Sequence, residues 1–138
     1  DLAFYLGGKP VQMMSFTAGE LPWHPKASSF TGAGVTENNI LFSYHADWDS
    51  PGNWGVHLYT KNFRLILEPL EELKIQKIGS NEVTNIKLND EFDRLYKPGL
   101  YLQVQSFLSS SPNQLKSIFE QVEEVETIYQ KIVNGTNN

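Results

Sequence analysis

Histidine and tryptophan are the residues of this chain with the most scope for chemistry. There are three of each: His24, His45 and His57, and Trp23, Trp48 and Trp54. An indole can lie against the apolar face of a sugar ring while neighbouring polar groups bind its hydroxyls, and two imidazoles on adjacent strands can begin a metal site. Trp23 and His24 stand together between Pro22 and Pro25, and Trp48 and Trp54 flank the loop Asp49-Ser50-Pro51-Gly52-Asn53. Loops carry binding residues more often than the scaffold does, so Trp23, His24, Trp48 and Trp54 are the candidate ligand-binding residues. Core packing is the competing role for each indole, because Trp carries the largest apolar area.

Other constellations point to no reaction. A metal site needs three or four converging ligands, and no spacing of His24, His45 and His57 with the carboxylates supplies them. No Gly-x-Ser-x-Gly elbow is present for a hydrolase. Gly32-Ala33-Gly34 lacks the third glycine and the following helix of a dinucleotide loop, and reads as a strand bulge or turn. The acidic stretch Glu120 to Glu126 reads as a solvated helix face.

The elements that must hold these residues are strands first and helices last. Val11–Ala18, Phe30–Val35, Ile40–Trp48, Trp54–Thr60, Phe63–Leu67 and Leu73–Ile78 are rich in branched and aromatic residues, and Gly79–Glu91 reads as a loop or edge strand. Lys61-Asn62 makes a two-residue hairpin that sets Leu58 opposite Leu65. A five-residue loop at 49–53 would set Trp48 opposite Trp54, Ala46 opposite Val56 and His45 opposite His57. One face is then apolar. The other carries His45, His57, Tyr59 and Ile66, too apolar for open solvent and too polar for a core, so it is the expected subunit interface.

Helices are expected at 98–109, with Pro98 in its first turn, and at 112–133, with Ser111 as N-cap and an apolar stripe through Leu115, Phe119, Val122 and Val125. Asp1–Gly8 reads as a helix cut at its front, with Leu2, Tyr5 and Leu6 on one face. The fold class expected is α+β: an open, mainly antiparallel sheet with helices packed on one face, in a single domain over 1–138.

Composition narrows the partners. A chain of 138 residues buries about two-thirds of its unfolded surface and needs no staples. The net charge of −5, with Lys and Arg never adjacent, argues against nucleic acid. No run approaches the roughly 18 apolar residues of a membrane span. The absence of cysteine suits a reducing, cytoplasmic compartment. Asn134-Gly135-Thr136 matches a glycosylation sequon by accident, in what reads as a polar tail.

The order Phe42-Ser43-Tyr44-His45-Ala46-Asp47-Trp48, Asp49-Ser50-Pro51-Gly52-Asn53-Trp54-Gly55-Val56, Arg64-Leu65-Ile66-Leu67-Glu68-Pro69-Leu70-Glu71 and Leu95-Tyr96-Lys97-Pro98-Gly99-Leu100-Tyr101 resembles the C-terminal domain of the glucose–fructose oxidoreductase/inositol dehydrogenase (Gfo/Idh/MocA) family. Asp1-Leu2-Ala3-Phe4-Tyr5-Leu6-Gly7-Gly8 is similar to the part of the family's joining helix that begins at the Asp three residues after its catalytic His. The resemblance implies an N-terminal Rossmann domain before Asp1, NAD or NADP bound there, and a sugar, sugar derivative or cyclitol as substrate. It implies a homo-oligomer, and it puts no catalytic, cofactor-binding or metal residue in this chain, which alone would be inactive. His57 stands where the related pattern often has an acid. The alternative is a stand-alone, non-enzymatic carbohydrate-binding or dimerisation module.

Overall fold

The computed structural model describes residues 1–24, 26–109 and 115–136. It is α+β, with antiparallel strands throughout its described pairs. The chain divides into two compact units, one formed by Asp1–Pro51 with Ser117–Asn138, the other by Gly52–Lys116.

The first unit holds α1 (Leu2–Gly7), β1 (Pro10–Ala18), β2 (Ser29–Thr36) and β3 (Leu41–Asp47), with the sheet order β1-β2-β3. Asn39 closes the β2–β3 hairpin at φ 59°, a left-handed conformation that Asn tolerates well. Alternation puts Ser15, Phe30, Gly32, Phe42 and Tyr44 on one face, and Ser15, Phe30 and Gly32 are buried there. The opposite face carries Met14, Phe16, Thr31, Leu41 and His45, all exposed.

Gly32 and Gly34 make neither bulge nor turn; both lie in regular register, and the irregularity falls at Pro10–Gln12. Their role is clearance. A Cβ on Gly32 would come within 2.4 Å of the Met14 carbonyl and 2.6 Å of the Tyr44 ring. Tyr44 crosses that gap and donates a 2.7 Å hydrogen bond to Ser15 Oγ. Burial pushes the Tyr44 phenol above its ordinary pKa.

On α1 the packed residue is Phe4, edge-on to Phe42 at 5.4 Å and stacked on Tyr129 at 6.5 Å. The face expected through Leu2, Tyr5 and Leu6 is instead the outer one, with Tyr5 85% exposed. Spacing alone could not choose between the two, since the helix is apolar nearly all round.

The last helix is continuous but changes pitch. α4 (Ile118–Glu124) passes through a π-helical turn (Val125–Tyr129) into α5 (Gln130–Asn134), which packs on β1 and β2. Its N-cap is Ser117, in a capping box with Glu120; the expected cap at Ser111 lies outside the described residues. The expected stripe is displaced, since Phe119 is 84% exposed while Glu124 and Ile128 are buried. Glu124 thus corrects the reading of Glu120–Glu126 as a uniformly solvated face. Wider winding stacks residues five apart, which brings Tyr129 within 3.4 Å of Glu124 Oε2. Lys9 Nζ meets the other carboxylate oxygen at 3.3 Å and compensates its charge.

Residues 134–136 are not a loose tail. Thr136 takes up both free backbone groups of Ser15, its hydroxyl accepting from Ser15 N at 2.7 Å and its amide donating to Ser15 O at 2.9 Å. Asn134 accepts from Lys26 Nζ and donates to Gln130. The sequon residues are therefore structural.

The second unit is a sheet of order β4-β5-β6-β7, from β4 (Val56–Tyr59), β5 (Phe63–Leu67), β6 (Leu73–Lys77) and β7 (Val83–Ile86), followed by α2 (Glu91–Leu95) and α3 (Leu100–Leu108). The Lys61-Asn62 hairpin is as expected, with Leu58 opposite Leu65 and Val56 opposite Leu67. Both Leu58 and Leu65 are only half-buried. On the other face Ile66 is 9% exposed, between His57 on β4 and Lys74 on β6.

Two expectations are overturned here. β3 and β4 are edge strands of separate sheets and not partners in one, β3 pairing with β2 and β4 with β5. The cause is local. Asp47 accepts from the Asp49 amide at 3.0 Å and from Ser50 Oγ at 2.9 Å, closing a turn at the end of β3 where a hairpin would have to continue. The expected cover of the sheet by the 98–109 helix is not found among the described residues either. α3 packs on α2, with Phe92 stacked on Tyr101 at 4.3 Å, and leaves Phe107 and Leu108 exposed.

Candidate functional site

The loop from Gly19 to Ser28 is closed at its neck and folded at its tip. Ser28 N donates to Ala18 O at 2.9 Å, and Gly19, at φ 73°, leaves no room for a side chain against Ser28 Oγ. At the tip, Leu21 and His24 exchange backbone hydrogen bonds of 3.1 and 3.0 Å around Pro22-Trp23. A proline in second position suits such a four-residue turn. Trp23 is thereby held outward.

Trp48 arrives from the other direction. Its amide donates to Ser28 O at 2.9 Å, which continues the β2–β3 pairing by one residue. The two indoles meet edge to face, with centroids 5.6 Å apart and planes at 73°. His24 packs edge-on to Trp23 at 6.0 Å and to Phe30 at 5.8 Å, so the buried Phe30 anchors the group to the sheet. Trp23 and Trp48 nonetheless stay 66% and 52% exposed. The pair meets edge to face yet leaves more than half of each residue exposed, which core packing alone does not account for.

His24 is oriented by one bond, from Nδ1 to the carbonyl of Ala27 at 2.9 Å. A carbonyl only accepts, so Nδ1 carries the proton and, in the neutral ring, Nε2 carries the lone pair. Nearby, Asp47 is held below the usual carboxylate pKa by the Asp49 amide and then the Ser50 hydroxyl, and it stays an anion at the foot of the corner loop.

Three of the four sequence candidates, Trp23, His24 and Trp48, are thus brought together. Trp54 belongs to the second unit and is 64% exposed. The four interface candidates are distributed differently. His45 pairs with Thr31 in the three-stranded sheet and His57 with Ile66 in the four-stranded one, so the expected cross-strand pair of the two histidines is not among the described pairings. His57 and Tyr59 lie on the second unit's sheet, and Ile66 is buried beneath that face.

Around His57 lies a network that the reading of the sequence did not draw out. Arg64 Nη2 donates to His57 Nδ1 at 3.1 Å, because a guanidinium has no acceptor; His57 Nε2 then donates to Glu68 at 3.1 Å. Arg64 also lies over the Tyr59 ring at 5.5 Å. The cross-strand pairing of Tyr59 with Arg64 was the signal that could have found it.

Among the described residues no group of three or more His, Asp or Glu is placed to hold a metal ion. No helix there is long and apolar enough to cross a membrane. Every described strand pair is antiparallel, so these residues provide no parallel βαβ crevice for a dinucleotide. No protein-family model, curated protein or solved structure matches this chain.

Proposed function

We propose that this chain is the C-terminal, substrate-side part of a cytoplasmic NAD(P)-dependent oxidoreductase acting on a sugar, sugar derivative or cyclitol, and that the Trp23–Trp48 corner receives the carbohydrate. The observation that carries the carbohydrate reading is the convergence of Trp23, His24 and Trp48, from two separate segments, on one exposed aromatic corner. The oxidoreductase reading rests on the Gfo/Idh/MocA resemblance. On that reading the nicotinamide cofactor and the reactive His belong to a Rossmann domain preceding Asp1, and this chain contributes binding and orientation. The open sheet face around His45, with Met14, Phe16 and Leu41 exposed, is the companion proposal for a homo-oligomer contact.

A stand-alone carbohydrate-binding module is the second reading, favoured by the completeness of the corner within one unit. The reading frame upstream of Asp1 separates them. A Rossmann glycine fingerprint within about 150 residues supports the oxidoreductase, and an initiator Met adjacent to Asp1 overturns it. In the full-length protein, Trp23→Ala should raise KM for the sugar with a smaller effect on kcat. Unchanged kcat/KM in a folded variant would remove the corner from the substrate site.

A further inference from the structure

Resting on the carbohydrate reading, we infer that His24 makes the corner selective for a ligand hydroxyl that donates a hydrogen bond. Nδ1 is committed to Ala27 O. Nε2 has no hydrogen-bond partner among the described residues, and it is not sealed from solvent there. In the neutral ring it is the lone pair left for a ligand to satisfy. The imidazole geometry turns it away from the Ala27 carbonyl, and the ring lies 6.0 Å from Trp23, within the width of one sugar.

The chemistry follows from what a neutral imidazole can do once its proton is placed. Nε2 accepts and does not donate. A hydroxyl satisfies it by donating. A fluorine or a methoxy oxygen at the same carbon has no proton to give, and leaves the lone pair stripped of water and unpaired. The indoles ask only for an apolar ring face, so they recognise sugars broadly. Discrimination between hydroxyl and its isosteres then falls to His24.

The probes are methyl β-D-glucopyranoside, D-galactose and myo-inositol, followed by the monodeoxyfluoro derivatives of whichever binds, one carbon at a time. Binding is read from the indole N–H resonances of Trp23 and Trp48 in the intact chain. At one carbon, fluorine should weaken binding about three- to tenfold, the worth of one hydrogen bond. His24→Asn is the matched variant, since its carboxamide can keep the bond to Ala27 O while deleting the second nitrogen. In that variant the fluorine penalty at the same carbon should vanish, and a second variant, His24→Gln, which restores an acceptor near the Nε2 position, should recover part of it. If the sugars bind but no carbon shows a penalty that depends on His24, the selectivity proposal fails and the corner stands. If none of the three probes perturbs either indole, both fail.

Discussion

Tyr44 reaches Ser15 across the backbone of Gly32, and the three residues occupy one row of the three-stranded sheet. Ser15 is fully buried, so its hydroxyl depends on that partner. Each strand contributes what the crossing needs: a small polar group, a gap and a long aromatic donor.

Replacing the middle residue should therefore cost more than its size suggests. Gly32→Ala forces Tyr44 or the Met14 backbone aside and should destabilise by about 1–3 kcal/mol. Tyr44→Phe leaves Ser15 Oγ without its donor and should cost about 0.5–1.5 kcal/mol. Denaturant midpoints measure both. A Gly32→Ala protein as stable as wild type would show that the ring does not lie over Gly32.

Alkaline stability should report on Tyr129. Burial and then Glu124 push its phenol from 10.0 up to about 12. The folded chain therefore holds this proton more tightly than the unfolded one. Its stabilising contribution is whole below about pH 10 and is lost as pH rises through about 12. Tyr129→Phe should flatten the fall in stability across that window, and an unchanged slope would contradict the environment described. Tyr129 also hydrogen-bonds the Asp1 carboxylate, so the same variant should loosen α1.

Leu58 tests the second unit. Its pairing with Leu65 is as the hairpin requires, but both are half-buried. Leu58→Ala should accordingly cost no more than about 2 kcal/mol, the low end for a buried leucine. A larger loss, measured on the 138-residue chain, would mean this face is more deeply covered than the described residues show.

β5 and the hairpin before it were legible because Lys61-Asn62 leaves a single register, and period-two alternation confirms it. The β3–β4 pairing failed because the 49–53 loop has two uses. Asp47 can cap a local turn, and nothing in the strand pattern reveals that the chain breaks there into two sheets. Glu124 was misplaced because an α-helical wheel assumes constant pitch, and the π turn at Val125–Tyr129 breaks it. Of the site, Trp23, His24 and Trp48 were legible from residue type and loop position. Their mutual geometry was not, since it depends on the backbone bond from Trp48 to Ser28 and on the closed neck at Gly19.

Carbohydrate binding at the Trp23–Trp48 corner is the central proposal. The direct measurement is a titration of the 138-residue chain with methyl β-D-glucopyranoside, D-galactose and myo-inositol, following the three indole N–H resonances by heteronuclear NMR. Trp23 and Trp48 should shift together and saturably with at least one of the three, and the Trp23 shift should be lost in Trp48→Ala while the fold is retained. Indole resonances of Trp23 and Trp48 that stay fixed at saturating concentrations of all three, or a Trp23 shift that survives Trp48→Ala unchanged, would contradict it.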